Sequence, residues 1–469
     1  MGGIFGVVSQ HDCVLDLFYG IDYHSHLGTK RGGLAVKEKA AFTRFIHNIE
    51  NDQFRSKFEA DIKTLKGNIG IGVISDNEDQ PVLIHSHLGH YAIVTVGVIH
   101  NLEKLAQSVF KKRSTHFAEM SGGEINPTEM VASLINQEQS FQDGLRSALN
   151  SIKGSCSILV LTPSGIYAAR DKFGRTPLII GEKPDSYAVT TETCAFPNLG
   201  YSVKKFLGPG EVVFLTRDGI DEIIPPGEKL QICAFLWVYY GYPASSYENI
   251  NVEQVRNRCG AELAKADSVK IDLVAGIPDS GIAHGLGYAN EAGIVFQRPF
   301  VKYTPTWPRS FMPQNQEVRD LVAKMKLIPI EALIRDKKIL FCEDSIVRGT
   351  QLKDTIQRLF DFGAEEVHMR PACPPLVYKC KFLNFSRSKS ELDLAARKAI
   401  RRLEGRNNID PFKYSQTGSE AYTAMIEEIR KMLNLTSLKY QRLEDLVKAI
   451  GLPKEKLCTY CWDGVENSL

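Results

Sequence analysis

The chain predicts two architectures in series: an α+β half of layered antiparallel sheets, then an α/β half around a parallel sheet. Three observations carry this. Short alternating runs punctuated by glycine recur through the first half, at residues 68–74, 91–98, 156–161 and 211–215, the pattern of half-buried strands. In the second half, apolar runs are followed by a loop and then by apolar residues at helical spacing, the order of a strand–helix unit in a parallel sheet. Between the halves lies PPGEKL, residues 225–230, whose Pro/Gly content suits a linker. The division is therefore placed at 1–228 and 229–469.

Length and charge set consistent limits. A chain of 469 residues holds two or three domains, each with its own core. Lys+Arg of 57 against Asp+Glu of 55 leaves a net charge of +2, which announces neither a nucleic-acid nor a membrane partner. No stretch approaches a membrane span, and the N-terminus lacks the charged-then-apolar order of a signal peptide. A cytoplasmic protein is the expectation. Ten cysteines in such a chain point to metal binding or free thiols rather than disulfides.

In the second half the apolar run 271–275 precedes the loop IPDSG, residues 277–281. The most informative stretch is ILFCEDSIVRGTQ, residues 339–351. Ile339, Leu340 and Phe341 suit a buried parallel strand, and Leu352, Ile356 and Leu359 fall on one helical face. The turn between them can hold a phosphate on backbone N–H groups backed by the helix N-terminus. Ser345, Thr350 and the permissive Gly349 fit that task. Glu343 and Asp344 stand at the carboxyl end of the strand, where paired carboxylates can accept hydrogen bonds from vicinal hydroxyls. A sugar 5-phosphate meets both halves of this motif.

Near the C-terminus, Leu443, Leu446, Val447 and Ile450 mark an amphipathic helix that Gly451 ends. Cys458 and Cys461 follow as C-T-Y-C, a spacing shared by zinc, redox and cluster sites. Cys13, Cys156, Cys194, Cys259, Cys342 and Cys373 read as ordinary buried thiols, and His24, His26 and His284 are assigned no role.

Residues 343–350 resemble the PRPP (phosphoribosylpyrophosphate) signature of type I phosphoribosyltransferases, most closely the V-D-D-S-I-V-R-G-T-T form of the glutamine PRPP amidotransferase family. Glu343 replaces the first Asp with charge retained. IPDSGIAHGLGYA, residues 277–289, resembles the family's P-D-S-G pyrophosphate loop. GIYAARDKFGRTPLIIG, residues 165–181, and TTETCAF, residues 190–196, resemble its N-terminal-nucleophile (Ntn) glutaminase domain. The resemblance implies an Ntn-type αββα sandwich followed by a type I phosphoribosyltransferase domain. It implies that Asp279, Ser280 and Gly281 bind pyrophosphate, and that Ser345, Ile346, Val347, Arg348, Gly349 and Thr350 bind the 5-phosphate. Ser280, Glu343 and Asp344 would lie near magnesium. The family's K-N-R-Y-x-G-R-T-F loop aligns with KYTPTWPRSF, residues 302–311, which keeps Lys302 and Arg309 but brings in Pro305, Trp307 and Pro308. Lys302, Glu343 and Asp344 are the expected catalytic residues, with Arg309 binding PRPP.

Some family members hold a four-iron cluster, and its ligands match Cys233 in ICAFLWVYY, Cys380 in PPLVYKC, and the pair Cys458 and Cys461. A basic segment near 382–414, expected to be helical around SELDLAARKAIRRLEG, departs from the family pattern.

The glutaminase half departs more sharply. The family's C-G-I-x-G places Gly2 where the nucleophilic cysteine belongs, and glycine has no atom with which to form a thioester. Ser75 stands for the substrate-clamping arginine, and Val96 for the asparagine whose amide stabilises the oxyanion. Gly97 is kept, but Pro127 replaces the amine-binding aspartate. Glutamine hydrolysis is expected to be absent. The expected activity is formation of 5-phosphoribosylamine and pyrophosphate from PRPP with free ammonia or an ammonia-supplying partner. The alternatives are a phosphoribosyltransferase with another nucleophile, or a non-catalytic PRPP- or nucleotide-binding regulator. A homo-oligomer and purine-nucleotide inhibitors are further implications of the family.

Overall fold

The computed structural model describes residues 2–466 except 39–40, 77, 112–116, 118–119, 122–123, 304–325, 384–389 and 407–408. Its first half is a four-layer αββα sandwich. One antiparallel sheet has seven strands in the order Ser202–Phe206, Ile179–Lys183, Ser186–Thr190, Gly3–Ser9, Ile69–Ser75, Arg31–Glu38 and Ala41–Asn48. The other has six, in the order Ile220–Ile224, Val212–Leu215, Ile166–Ala169, Gly154–Leu161, Gly89–Ile99 and Val82–Ser86.

Strand alternation explains the layering. Along Gly3–Ser9, Ile4 and Val8 join Val73, Val94 and Leu159 in the core between the two sheets. Phe5 and Val7 point the other way and pack with Leu17, Ile21 and Phe58 from the outer helices Val14–Asp22 and Phe54–Ile62. Opposite faces of a strand thus serve two cores. The second sheet is covered on its outer face by Leu102–Lys111, Pro127–Ile135 and Phe141–Ser151.

The second half is α/β. Strands Leu273–Gly276, Lys338–Glu343, Glu366–Pro371 and Ser437–Leu438 form a parallel sheet in that order. The first begins two residues later than the apolar run suggests; before it, Asp272 holds Lys338 with both groups, its N–H donating to Lys338 O at 2.9 Å and its carboxylate accepting the Lys338 N–H at 2.7 Å. Leu340 and Cys342 face Cys259, Tyr288 and Leu446 of the helices Val252–Lys265, Ile282–Ala292 and Leu443–Ile450. Ile339 and Phe341 face Ile356, Leu359, Ile400 and Ile429 of Thr350–Asp361, Ala395–Glu404 and Glu420–Leu433. A strand buried on both faces reads as a continuous apolar run, as residues 339–341 do.

The segment near 382–414 contributes the helix Ala395–Glu404, shorter than its sequence suggests. Ser390 and Asp393 form a capping box around a 3-10 turn at Glu391–Asp393, and the α-helix starts after it. Gly451, in the left-handed conformation, ends Leu443–Ile450 as expected. Among the described residues, no helix is long and apolar enough to cross a membrane.

Candidate functional site

The carboxylate pair lies at the carboxyl end of the strand Lys338–Glu343, next to the loop that opens Ile282–Ala292. Both Glu343 and Asp344 are buried. The Ser280 hydroxyl donates to Glu343 Oε1 at 3.3 Å, and the Asp344 backbone N–H donates to the same oxygen at 3.0 Å. Burial, reinforced by the neighbouring Asp344 charge, pushes the Glu343 carboxyl well above the usual glutamate range. Its two donors are neutral. A divalent cation or a set of ligand hydroxyls would relieve the strain of holding two adjacent carboxylates out of water.

The loop from Ser345 to Thr350 runs from this pair into the helix Thr350–Asp361. Ser345 Oγ donates to Asp344 Oδ1 at 2.5 Å. Gly349 is the helix N-cap at φ +73°, a conformation in which other residues are strained. Ile346 is buried in the core and Val347 packs against the neighbouring cluster, so anything they offer a ligand comes from their backbone. Arg348 and Thr350 are exposed. The helix Ala395–Glu404 braces the loop, its Ala395 N–H donating to Val347 O at 2.8 Å and Lys398 Nζ to Arg348 O at 3.3 Å.

Across the pocket, Gly281 is the N-cap of Ile282–Ala292. A Cβ there would stand 2.3 Å from Cys342 O, so the two loops approach as closely as glycine allows. Lys302 Nζ pairs with Asp279, and both side chains are substantially exposed. Arg309, Pro305, Trp307 and Pro308 lie outside the described residues.

In the first half, the structure places the altered positions together. Gly2 is buried beside Ile74 and Ser75, and a Cβ on it would meet Ile74 O at 2.3 Å. Val96 is buried in Gly89–Ile99, and Gly97 follows at φ +148°. Pro127 opens the helix Pro127–Ile135, whose N-cap Asn126 accepts from Thr128 N–H at 2.8 Å.

Sequence reasoning missed what lies between these positions. Asp76, Glu78, Asp79 and Gln80 are assigned no role from the sequence, yet each is tied to the scaffold. Asp76 accepts from Thr29 N–H at 2.9 Å, and Asp79 pairs with Arg31 at 2.8 Å. Gln80 Nε2 donates to Glu78 Oε1 at 2.7 Å and to Thr95 O at 3.1 Å, while its Oε1 accepts from Thr95 N–H at 2.7 Å. Thr128 Oγ1 lies 2.6 Å from Thr95 Oγ1 and 3.4 Å from Glu78. A carboxamide of the chain itself thus sits against the backbone one residue before Val96. Burial raises the Glu78 carboxyl above its usual range.

The four cysteines converge. The parallel pair Ile232–Cys233 and Leu457–Cys458 sets Cys233 opposite Cys458, and both line one cavity with Cys380, Cys461, Phe235, Phe382 and Arg175. None of the four is in a disulfide. Backbone N–H groups aim at the sulfurs: Leu383 donates to Cys380 Sγ at 3.3 Å, Phe235 and Leu236 to Cys233, and Tyr460 to Cys458. Such donors stabilise thiolates. Among the described residues, no three His, Cys, Asp or Glu side chains close on one point as a single metal ion requires. Tetrahedral thiolates on one zinc stand roughly 3.8 Å apart. A four-iron cluster puts each thiolate on its own iron and spreads them further. Four thiols around one cavity match in number the donors of a four-iron cluster, one thiolate to each iron. The other six cysteines are buried. His24 and His284 are buried in the core, where burial lowers their pKa to about 4 and about 3.

Comparison with known proteins agrees with this layout. Residues 68–198 match the model of a glutamine amidotransferase domain. Over 99% of its length the chain is 28% identical to amidophosphoribosyltransferase of Methanocaldococcus jannaschii, covering 97% of that protein. It is 27% identical over 96% of its length to amidophosphoribosyltransferase of Bacillus subtilis, covering 89% of it. The solved glutamine PRPP amidotransferase of B. subtilis, complexed with ADP and GMP, superposes with a TM-score of 0.84 at 25% identity, over 99% of this chain and 97% of that one.

Proposed function

This chain belongs to the amidophosphoribosyltransferase family, and from that premise we propose that it makes 5-phosphoribosylamine and pyrophosphate from PRPP with ammonia it does not itself generate. The observation that supports the reading is the contrast between the under-satisfied carboxylates at Glu343–Asp344 and the Glu78 carboxylate, whose partners Gln80 and Thr128 come from the chain itself. Position 2 has no room for the side chain a nucleophile needs.

In this mechanism Glu343 and Asp344 accept the ribose hydroxyls, and the backbone of residues 345–350 holds the 5-phosphate. Asp279, Ser280 and Gly281 frame the pyrophosphate, and Lys302, exchanging its Asp279 partner for the leaving group, neutralises charge as the C1–O bond breaks. The ammonia nitrogen forms the new bond to C1 and then loses a proton. Ser280, Glu343 and Asp344 would hold magnesium, which supplies charge neutralisation for the pyrophosphate when bound. Arg309 completes the proposed PRPP contacts.

Cys233, Cys380, Cys458 and Cys461 would hold a four-iron cluster, whose role is structural in this reading. The division into 1–228 and 229–469, a cytoplasmic homo-oligomer and inhibition by purine nucleotides belong to the same proposal, the last supported by the ADP and GMP in the B. subtilis complex.

Purified protein incubated with Mg-PRPP and either ammonium chloride or glutamine tests it. Pyrophosphate release with ammonium alone is expected. Release with glutamine alone would overturn the loss of glutaminase, and tight PRPP binding without release under either condition would overturn the catalytic reading.

A further inference from the structure

We propose that Arg175, a residue of the N-terminal half, is the charge partner of the four-cysteine site and sets the reduction potential of the cluster held there. The proposal rests on the cluster reading above.

Arg175 is 2% exposed and lines the cysteine cavity, although it comes from the FGRTP turn of the first half. Its guanidinium lies 3.7 Å from the centre of the Phe382 ring and 4.7 Å from that of Phe173. Nη1 donates to Gly154 O at 3.3 Å. Nε finds no hydrogen-bond partner. Two rings and a carbonyl carry no net negative charge, and among the described residues Arg175 makes no ion pair. Burying a guanidinium in that way is costly unless an anion completes the site. The nearest candidates are the thiols, for its side chain also reaches the Cys458 sulfur.

Four thiolates on a four-iron core leave the assembly net negative, so the orphan cation and the anionic group answer each other. The backbone fixes this arrangement: Gln231 N–H donates to Phe173 O at 2.7 Å, and Cys233 N–H to Arg175 O at 3.3 Å. The strand bearing the first cysteine is therefore pinned to the turn bearing the arginine. A fixed positive charge in a low-dielectric pocket favours the more negative, reduced state of the cluster and raises its potential. On this account the first half retains a task after losing its chemistry, because it supplies a charge that the second half lacks.

The test compares full-length wild type, Arg175→Met and Arg175→Lys, each reconstituted anaerobically with iron and sulfide. Iron and sulfide content is measured first, then midpoint potential by protein-film voltammetry. Arg175→Met is expected to shift the reduced-to-oxidised ratio at fixed potential roughly tenfold toward oxidised, about 59 mV for one electron. Arg175→Lys should stay near wild type. Loss of the cluster from folded Arg175→Met, with retention in Arg175→Lys, supports the proposal equally. An Arg175→Met cluster with wild-type potential overturns it while leaving the cluster reading intact. A wild type that takes up neither iron nor sulfide overturns the cluster reading, and this inference with it.

Discussion

Two buried glutamates, one in each half of this protein, differ in their surroundings. Glu78 and Glu343 are 7% and 8% exposed, and burial raises both carboxyls above the ordinary range. Glu78 is enclosed by the chain's own donors, the Gln80 carboxamide and the Thr128 hydroxyl. Glu343 has a second carboxylate beside it, one hydroxyl at 3.3 Å and one backbone N–H. A satisfied pocket has nothing left to offer a ligand. An under-satisfied one gains by binding, because a ligand's hydroxyls or a dication offset a desolvation cost already incurred.

The sharpest way to break this comparison is Asp344→Asn. The variant keeps the shape and removes one charge from the open pocket, so kcat/KM for ammonium-dependent pyrophosphate release should fall by about 100-fold or more. A fall of less than about threefold would mean that the pair is not where the ribose sits.

The closed pocket can be challenged by Gly2→Cys, which restores the missing thiol. We expect no glutamate release from glutamine and a stability loss of about 1–3 kcal/mol in denaturant unfolding, because the new Cβ meets the Ile74 carbonyl. Measurable glutaminase activity would show that the pocket is only one substitution from function.

The smallest effect is expected at Glu78→Gln, which sharpens the contrast through pH. Because the folded Glu78 carboxyl titrates above its unfolded value, the native state binds the extra proton. Wild-type stability therefore falls as pH rises from the unfolded value, about 4.3, through the folded one. The amide does not titrate, so the variant's advantage should grow across that interval and vanish below it. Turnover of PRPP should be unchanged. A stability difference constant with pH would contradict a raised Glu78.

Much of the second pocket was legible because its residues are contiguous. Strand, acid pair, loop and helix occupy residues 339–361 in one run, and local periodicity exposes each. The N-terminal departures at Gly2, Ser75, Val96 and Pro127 were legible only through a family pattern. The network beside them was not, since Glu78, Asp79 and Gln80 are polar residues of a kind common in surface turns and are bound through partners such as Arg31, Thr95 and Thr128. Arg175 gave no signal for the same reason: one arginine in a Gly/Thr/Pro turn has the look of a solvated charge.

The sequence by itself determined the layers, because the period of the apolar positions decides which face of each strand or helix is buried, and that information is local. Only the tertiary structure decided the sites' charge balance. Burial and pairing depend on residues that local periodicity does not connect, from 15 positions apart for Gln80 against Thr95 to more than two hundred for Cys233 opposite Cys458, with Arg175 set among the cysteines. The cost of a buried polar group is set by whichever neighbour the fold brings within about 3 Å.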